Sequence, residues 1–226
     1  MKKLLLSITA LLILASCKPS DEQVEKAVAK YIESHPELFE TAQQGGQKEA
    51  SPEVLKKIID KIVSEKHHPV IGDANSKDLI IEFYDYNCGY CKKSLGTILK
   101  LANEDKAKVI LVELPVLGEG SAYAAHASLA VNKIAPDKFV EFHSALMNFQ
   151  GHANEQQIIN MAQKVGVDKT DFDAEMAKTD EYIKILQANT NMARGLKIGG
   201  TPSFIVNGEI VRGAVPYEAF KQALKK

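Results

Sequence analysis

The sequence predicts an α/β fold: a parallel strand–helix–strand unit, a long helical block inserted after it, then an antiparallel hairpin and a closing helix. Three observations carry this. Two short runs rich in β-branched and aromatic residues, 78–86 and 108–114, flank a helical stretch over 92–103. From Ser121 to about Lys197 the pattern is helical throughout, with Pro136, Gly151 and Gly166 among its breaks. Strand character returns at 203–206, and Asn207-Gly208 supplies a tight hairpin turn into 209–212.

Taken in order, the chain opens with Lys2 and Lys3 ahead of an apolar run over 4–15, broken only by Ser7 and Thr9. That run is short of the ~20 residues a membrane span needs and fits the apolar core of an export leader. Leu14-Ala15-Ser16-Cys17 resembles the bacterial lipobox. The expectation is a lipoprotein signal peptide over 1–16, with Cys17 lipidated as the first mature residue and anchoring the protein to the membrane. Lys18 stands where an aspartate would signal inner-membrane retention, which favours the outer membrane over the inner. The expected location is the periplasm, lipid-anchored.

Residues 17–68 read as an N-terminal helical segment and linker. Val24, Ala27, Val28, Tyr31 and Ile32 recur at helical spacing behind the caps Ser20 and Asp21. Gln43-Gln44-Gly45-Gly46-Gln47 is a break. Ser51-Pro52 then opens a second helix whose Leu55, Ile58, Ile59, Ile62 and Val63 form a stripe. Two thin helices cannot bury both stripes on each other, so they pack on the main domain or on another subunit. His67-His68 reads as a solvated linker pair, and no residue is assigned as a metal ligand. Residues 69–226 form the main domain, with the helical insertion over about 120–197. Within it, helices are expected over 122–134, 137–149, 155–165, 170–178 and 181–196. Pro216 begins a last helix through Leu224.

Composition narrows the function. With 226 residues, 45% hydrophobic and 25% charged, the chain is neither collagen nor low-complexity disorder, and has ample length for a core. Lys+Arg 28 against Asp+Glu 29 leaves no basic excess to neutralise phosphates, and nucleic acid is not an expected partner. Removing residues 1–16 takes two lysines with it and leaves the mature chain at a net of −3. Of the three cysteines, lipid would occupy Cys17, leaving Cys88 and Cys91 as a pair in an oxidising compartment.

Cys88-Gly89-Tyr90-Cys91 falls where a strand ends and a helix begins. As a staple such a small ring is weak, about 2 kcal/mol by loop entropy against ~3 for a fifteen-residue loop. As a reactive pair it is well placed. Free N–H groups at the helix N-terminus favour a thiolate on Cys88, and Cys91 lies one turn further in, within reach of a mixed disulfide. Zinc would need more ligands, and no second CxxC or HxxxH follows. Glu82 is an acid inside an apolar strand, where a buried carboxyl is costly unless neutral or partnered. The alternative is a glutamate facing water. Met147, Met161, Met176 and Met192 read as core fillers.

The segment from Ile81 through Lys92 resembles the active-site region of DsbA-like thiol:disulfide oxidoreductases. Gly200-Thr201-Pro202-Ser203-Phe204-Ile205-Val206-Asn207-Gly208 is similar to their cis-proline loop, and Leu114-Pro115-Val116-Leu117-Gly118 to a segment of one branch. Tyr31-Ile32-Glu33-Ser34-His35-Pro36-Glu37 resembles the preface of ScsC-like proteins and related lipoproteins. The resemblance implies a thioredoxin fold with an inserted helical domain, preceded by an N-terminal oligomerisation segment. It implies exchange of disulfides with client proteins through Cys88 and Cys91, with no cofactor. It further implies a cis Thr201-Pro202 bond setting the Thr201 backbone beside the sulfurs, client contacts at Gly89 and Tyr90, proton transfer by Glu82, a membrane redox partner, and a homodimer or homotrimer. Gly89-Tyr90 departs from the Pro-His of the strong oxidants, which points to isomerase or reductase chemistry or a mixture with oxidase. A dithiol oxidase, a copper-binding protein using the same thiols, and a surface scaffold are the rival readings.

Overall fold

The computed structural model describes residue 34 and residues 50–225. The signal peptide, Cys17, the Val24–Ile32 stripe and the Gly45-Gly46 break lie outside the described residues. Residues 49–226 form one compact unit. No helix among the described residues is long and apolar enough to cross a membrane.

Helix α1 (Pro52–Ser64) starts where Ser51 accepts a hydrogen bond from Val54 N and Pro52 needs no partner for a missing N–H. Most of its stripe packs within this chain, Val63 at 42% exposure being the exception. Ile62 is fully buried in a cluster with Phe83, Val112, Met192 and Leu196, and Leu55, Ile58 and Ile59 pack against that cluster from outside. The helix expected with the N-terminal segment therefore packs on the main domain.

Among the described residues five strands form one sheet in the order β1-β3-β2-β4-β5. They are β1 (Val70–Gly72), β2 (Leu79–Tyr84), β3 (Lys108–Glu113), β4 (Ser203–Val206) and β5 (Glu209–Arg212). β2 and β3 run parallel, joined across α2 (Gly89–Asn103), and the other pairings are antiparallel. β1 has no counterpart in the sequence reading, since three residues are too few to show a period. Gly72 closes it at φ +82°, where a Cβ would fall 2.1 Å from the Ala107 carbonyl oxygen.

The pleat divides the core. Ile80 and Tyr84 join one cluster with Val109, Leu111, Phe204 and Val206, while Ile81 and Phe83 join the other with Ile110, Val112 and Ile205. Glu82 shares the parity of Ile80 and Tyr84, which places it on the face carrying α2. Both faces of β2 are covered, and that is why it reads as a continuous apolar run rather than an alternating one.

The helical block comprises α3 (Glu119–Ile134), a short 3₁₀ turn (Pro136–Lys138), α4 (Phe139–Asn148), α5 (Glu155–Lys164), α6 (Lys169–Met176) and α7 (Thr179–Gly195). Asn154 and Gln157 form a reciprocal capping box at α5, and Asp168 caps α6 through Thr170 N and Asp171 N. The alanines of α3, among them Ala124, Ala127 and Ala130, are buried and let its neighbours approach closely. Met147 and Met192 are buried, with Met161 and Met176 packed at the core margin. α8 (Tyr217–Leu224) sets Phe220 edge-on to Phe204, ring centres 4.9 Å apart.

The histidine pair corrects an expectation. His68 is 2% exposed rather than solvated. The unforeseen strand β1 draws the residues before it onto the sheet edge, where Leu111 N donates to the Pro69 carbonyl at 2.9 Å. Burial, with His67 and Lys61 nearby, lowers His68 to about 3 and keeps it neutral.

Candidate active site

β2 ends at Tyr84, and the chain turns through Asp85-Tyr86-Asn87 into α2, three residues earlier than periodicity placed that helix. Cys88 is its N-cap with extended backbone, and Lys92 N donates to the Cys88 carbonyl at 3.1 Å. Cys91 sits one turn inside. Both are free thiols, Cys88 at 7% exposure and Cys91 at 1%. Gly89 is exposed and Tyr90 is 63% exposed, so the motif shows solvent chiefly its two intervening residues, with Cys88 less deeply buried than Cys91.

The loop before β4 completes the site. The Thr201-Pro202 bond is cis, and the Cys88 thiol donates to the Thr201 carbonyl at 3.2 Å. Positions 113 residues apart thus meet at one sulfur, which brings the cis Thr201-Pro202 loop against the Cys88-Gly89-Tyr90-Cys91 turn. Tyr90, Val116 at 51% and Leu117 at 50% are among the most exposed large apolar side chains of the described residues.

Glu82 is 3% exposed, which removes the water-facing alternative. Burial raises it from 4.5 to about 8. Burial also pushes the Cys91 thiol well above its ordinary value; a backbone hydrogen bond at Asp85 opposes this, and the charges of Glu82 and Cys88 add to it. The two groups are electrostatically coupled: ionising Glu82 makes Cys91 harder to deprotonate.

Beneath them lies a polar network. Tyr84 donates its hydroxyl to Glu113, and the Tyr86 hydroxyl meets Ser128 Oγ at 2.7 Å and His143 Nδ1 at 2.8 Å. Burial raises Glu113 well above its usual range and lowers His143 to about 3.

Asp85 is the residue that sequence reasoning missed. It is 1% exposed, and its carboxylate accepts from Asn87 N (2.8 Å), Ser121 Oγ (2.7 Å), Val116 N (2.8 Å) and Leu117 N (3.0 Å). One side chain thereby ties the turn before Cys88 to the 114–118 segment and to α3. The available signal resembled that for Glu82: another acid within the apolar run over 78–86. A cavity of about 480 Å³ adjoins the motif, lined by Asn87, Gly89, Lys92 and residues 147–152. Lys92 Nζ bridges the carbonyls of Phe149 at 2.6 Å and Gly151 at 2.7 Å, fixing α2 to the end of α4.

A strand–CxxC–helix unit facing a cis-proline loop, on a β1-β3-β2-β4-β5 sheet with a helical insertion, defines a thioredoxin-fold dithiol protein. The family model described as Thioredoxin matches residues 64–226, and the chain belongs to that family, in its DsbA-like branch of thiol:disulfide oxidoreductases. It is 25% identical to disulfide bond formation protein D of Bacillus subtilis over 173 residues, 72% of this chain and 78% of that protein. The thiol-disulfide exchange protein alpha-DsbA2 of Wolbachia pipientis superposes with a TM-score of 0.71 at 28% identity, over 78% of this chain and 97% of that one. The catalytic domain of Proteus mirabilis ScsC gives 0.70 at 30% identity, over 77% and 99%, and in the compact conformation of ScsC the match reaches 91% of this chain and 96% of that one.

Proposed function

We propose that this protein is an exported enzyme that exchanges disulfides with client proteins, Cys88 attacking and Cys91 resolving. The observation that carries the reading is the asymmetry of the pair: Cys88 caps the helix against the Thr201 carbonyl at 7% exposure, while Cys91 lies one turn further in at 1%. The Cys88 thiolate attacks a client disulfide, forms a mixed disulfide and expels one client thiolate. Cys91 then attacks the Cys88 sulfur, closing the 88–91 disulfide and releasing the reduced client. Run backwards, the same steps oxidise a client; when a client's own thiol resolves the mixed disulfide, the outcome is isomerisation. Cys91 must lose its proton to attack, and Glu82, charge-coupled to it and titrating at about 8, accepts that proton in its ionised form, whose share grows as pH rises towards 8. Thr201 offers its backbone to an extended client strand, with Gly89 and Tyr90 along the contact.

The isomerase or reductase direction is favoured over strong oxidation because Gly89-Tyr90 places no imidazolium between the sulfurs. Export to the periplasm, a lipid on Cys17, a membrane redox partner and a homodimer or homotrimer built by the N-terminal segment complete the reading. Relatives support the location, one structural neighbour being a periplasmic thioredoxin-like protein from Salmonella enterica serovar Typhimurium. Cys91→Ala tests the assignment: it accumulates mixed disulfides with clients, and Cys88→Ala does not. The reverse trapping pattern rejects it. Activity on scrambled against reduced client separates isomerase from oxidase.

A further inference from the structure

Between α1 and β1 sits a group of side chains that thiol chemistry leaves unused. Glu65, His67 and His68 each offer one ligand atom, all within 4.8 Å of one another. Glu65 Oε2 lies 3.1 Å from His68 Nε2 and 3.7 Å from His67 Nε2. Donors about 2.0–2.1 Å from one tetrahedral zinc ion stand roughly 3.3 Å apart, so the two separations bracket the edge of that polyhedron. The other carboxylate oxygen faces Lys61 Nζ at 3.8 Å, which turns Oε2 toward the imidazoles.

A second observation is independent of spacing. His67 Nε2 and His68 Nδ1 are both buried without a hydrogen-bond partner, and the His68 side chain is wholly enclosed. A buried imidazole nitrogen left unpaired is costly, and two of them on adjacent rings with centres 4.2 Å apart ask for a common explanation. A metal ion supplies a partner for His67 Nε2, while His68 offers the ion its Nε2 beside Glu65.

The backbone is already set. Asn132 of α3 donates to the His67 carbonyl at 3.3 Å, Leu111 of β3 holds the Pro69 carbonyl, and Glu65 N caps α1 on the Lys61 and Ile62 carbonyls. His67 also lines a cavity of about 350 Å³ with Leu129, Asn132, Tyr182 and Ile185, leaving room for a water as further ligand. We propose that Glu65, His67 and His68 bind a borderline divalent transition-metal ion of the zinc(II) class, with solvent completing its coordination. Two neutral imidazoles and one carboxylate suit that class. Calcium and magnesium prefer all-oxygen sets, and copper(I) prefers sulfur. Metal bound here clamps the end of α1 to the sheet edge, at the junction between the N-terminal segment and the catalytic domain.

Reduced Cys88 and Cys91 would also take zinc, so the test uses the full, untagged chain with that pair oxidised. Titration with zinc chloride, followed by calorimetry, gives saturable one-to-one binding at micromolar metal. His67→Ala and Glu65→Gln, both at partly exposed side chains, each weaken binding ~tenfold or more. Each also abolishes the zinc-dependent rise in unfolding temperature. No binding to the oxidised wild type overturns the proposal, as does binding that survives in either variant.

Discussion

Replacing Glu82 with glutamine removes a proton that the folded protein is forced to hold. The carboxyl titrates at about 8 in the fold against 4.5 in the open chain. Between those values the folded state binds more protons than the unfolded one, so the group lowers stability progressively as pH rises through the window. At about 1.36 kcal/mol per unit, the penalty is near zero at pH 4.5, ~3 kcal/mol at pH 7 and ~5 kcal/mol above pH 8. Glutamine has nearly the same shape and no charge to lose. Glu82→Gln should therefore match the wild type at pH 4.5 and exceed it by these amounts at higher pH. The check is urea unfolding of both reduced proteins across pH 4.5–8.5, read as a difference of curves so that other titrating groups cancel. The same variant should slow exchange, because the acceptor for the Cys91 proton is gone. Parallel stability curves would refute the burial argument, and unchanged exchange rates would refute the proton-transfer role even if the stability difference appears.

Asp85→Asn replaces one accepting oxygen with a donor facing backbone N–H groups, and should cost about 1–3 kcal/mol while raising amide exchange at Val116 and Leu117. Ile62→Ala should cost about 2–5 kcal/mol in denaturant unfolding, since α1 docks through that side chain; a loss below 1 kcal/mol would mean that α1 is dispensable to the domain. Deleting residues 17–48 should convert an oligomer into a monomer by light scattering while leaving the fold of the remainder intact, because α1 is already satisfied within its own chain. Equilibration with glutathione should place the 88–91 couple well below the roughly −120 mV of the strongest dithiol oxidants.

Much of this fold can be read from residue order because local and global signals agree. Asn207-Gly208 fixes the hairpin, and β4 and β5 fall on the predicted residues; Asn207 takes φ +45° and Gly208 φ +91°, as that turn requires. The insertion is legible for the same reason, as Pro and Gly breaks separate its helices and Asn154 and Asp168 cap two of them. What escapes is set by long-range pairing. β1 exists only because β3 offers it an edge, and with β1 unseen, His68 looked like linker. Glu82 stood out as an acid inside an apolar run. Asp85, near the end of the same run, has no role in the sequence reading, although three donors from the distant 116–121 stretch and one from Asn87 converge on it.

The electrostatics of the site give the motif its bias. Burial raises Glu82 and Glu113 and lowers His143, so at neutral pH the floor beneath the cysteines carries little charge. Two cations lie close in sequence, but both are committed elsewhere: Lys92 to the carbonyls of Phe149 and Gly151, and Lys93 over the Tyr90 ring at 5.1 Å. A developing thiolate on Cys88 is left with the N-terminal N–H groups of α2 as its main support. Strong oxidants gain their potential by stabilising the reduced, ionised form, and that requires a positive charge at the first sulfur. Here the residues between the sulfurs are a glycine and an exposed tyrosine, neither of which carries a positive charge. That charge balance is what supports the proposal that the motif reshuffles disulfides rather than driving their formation, and the glutathione equilibrium above tests it.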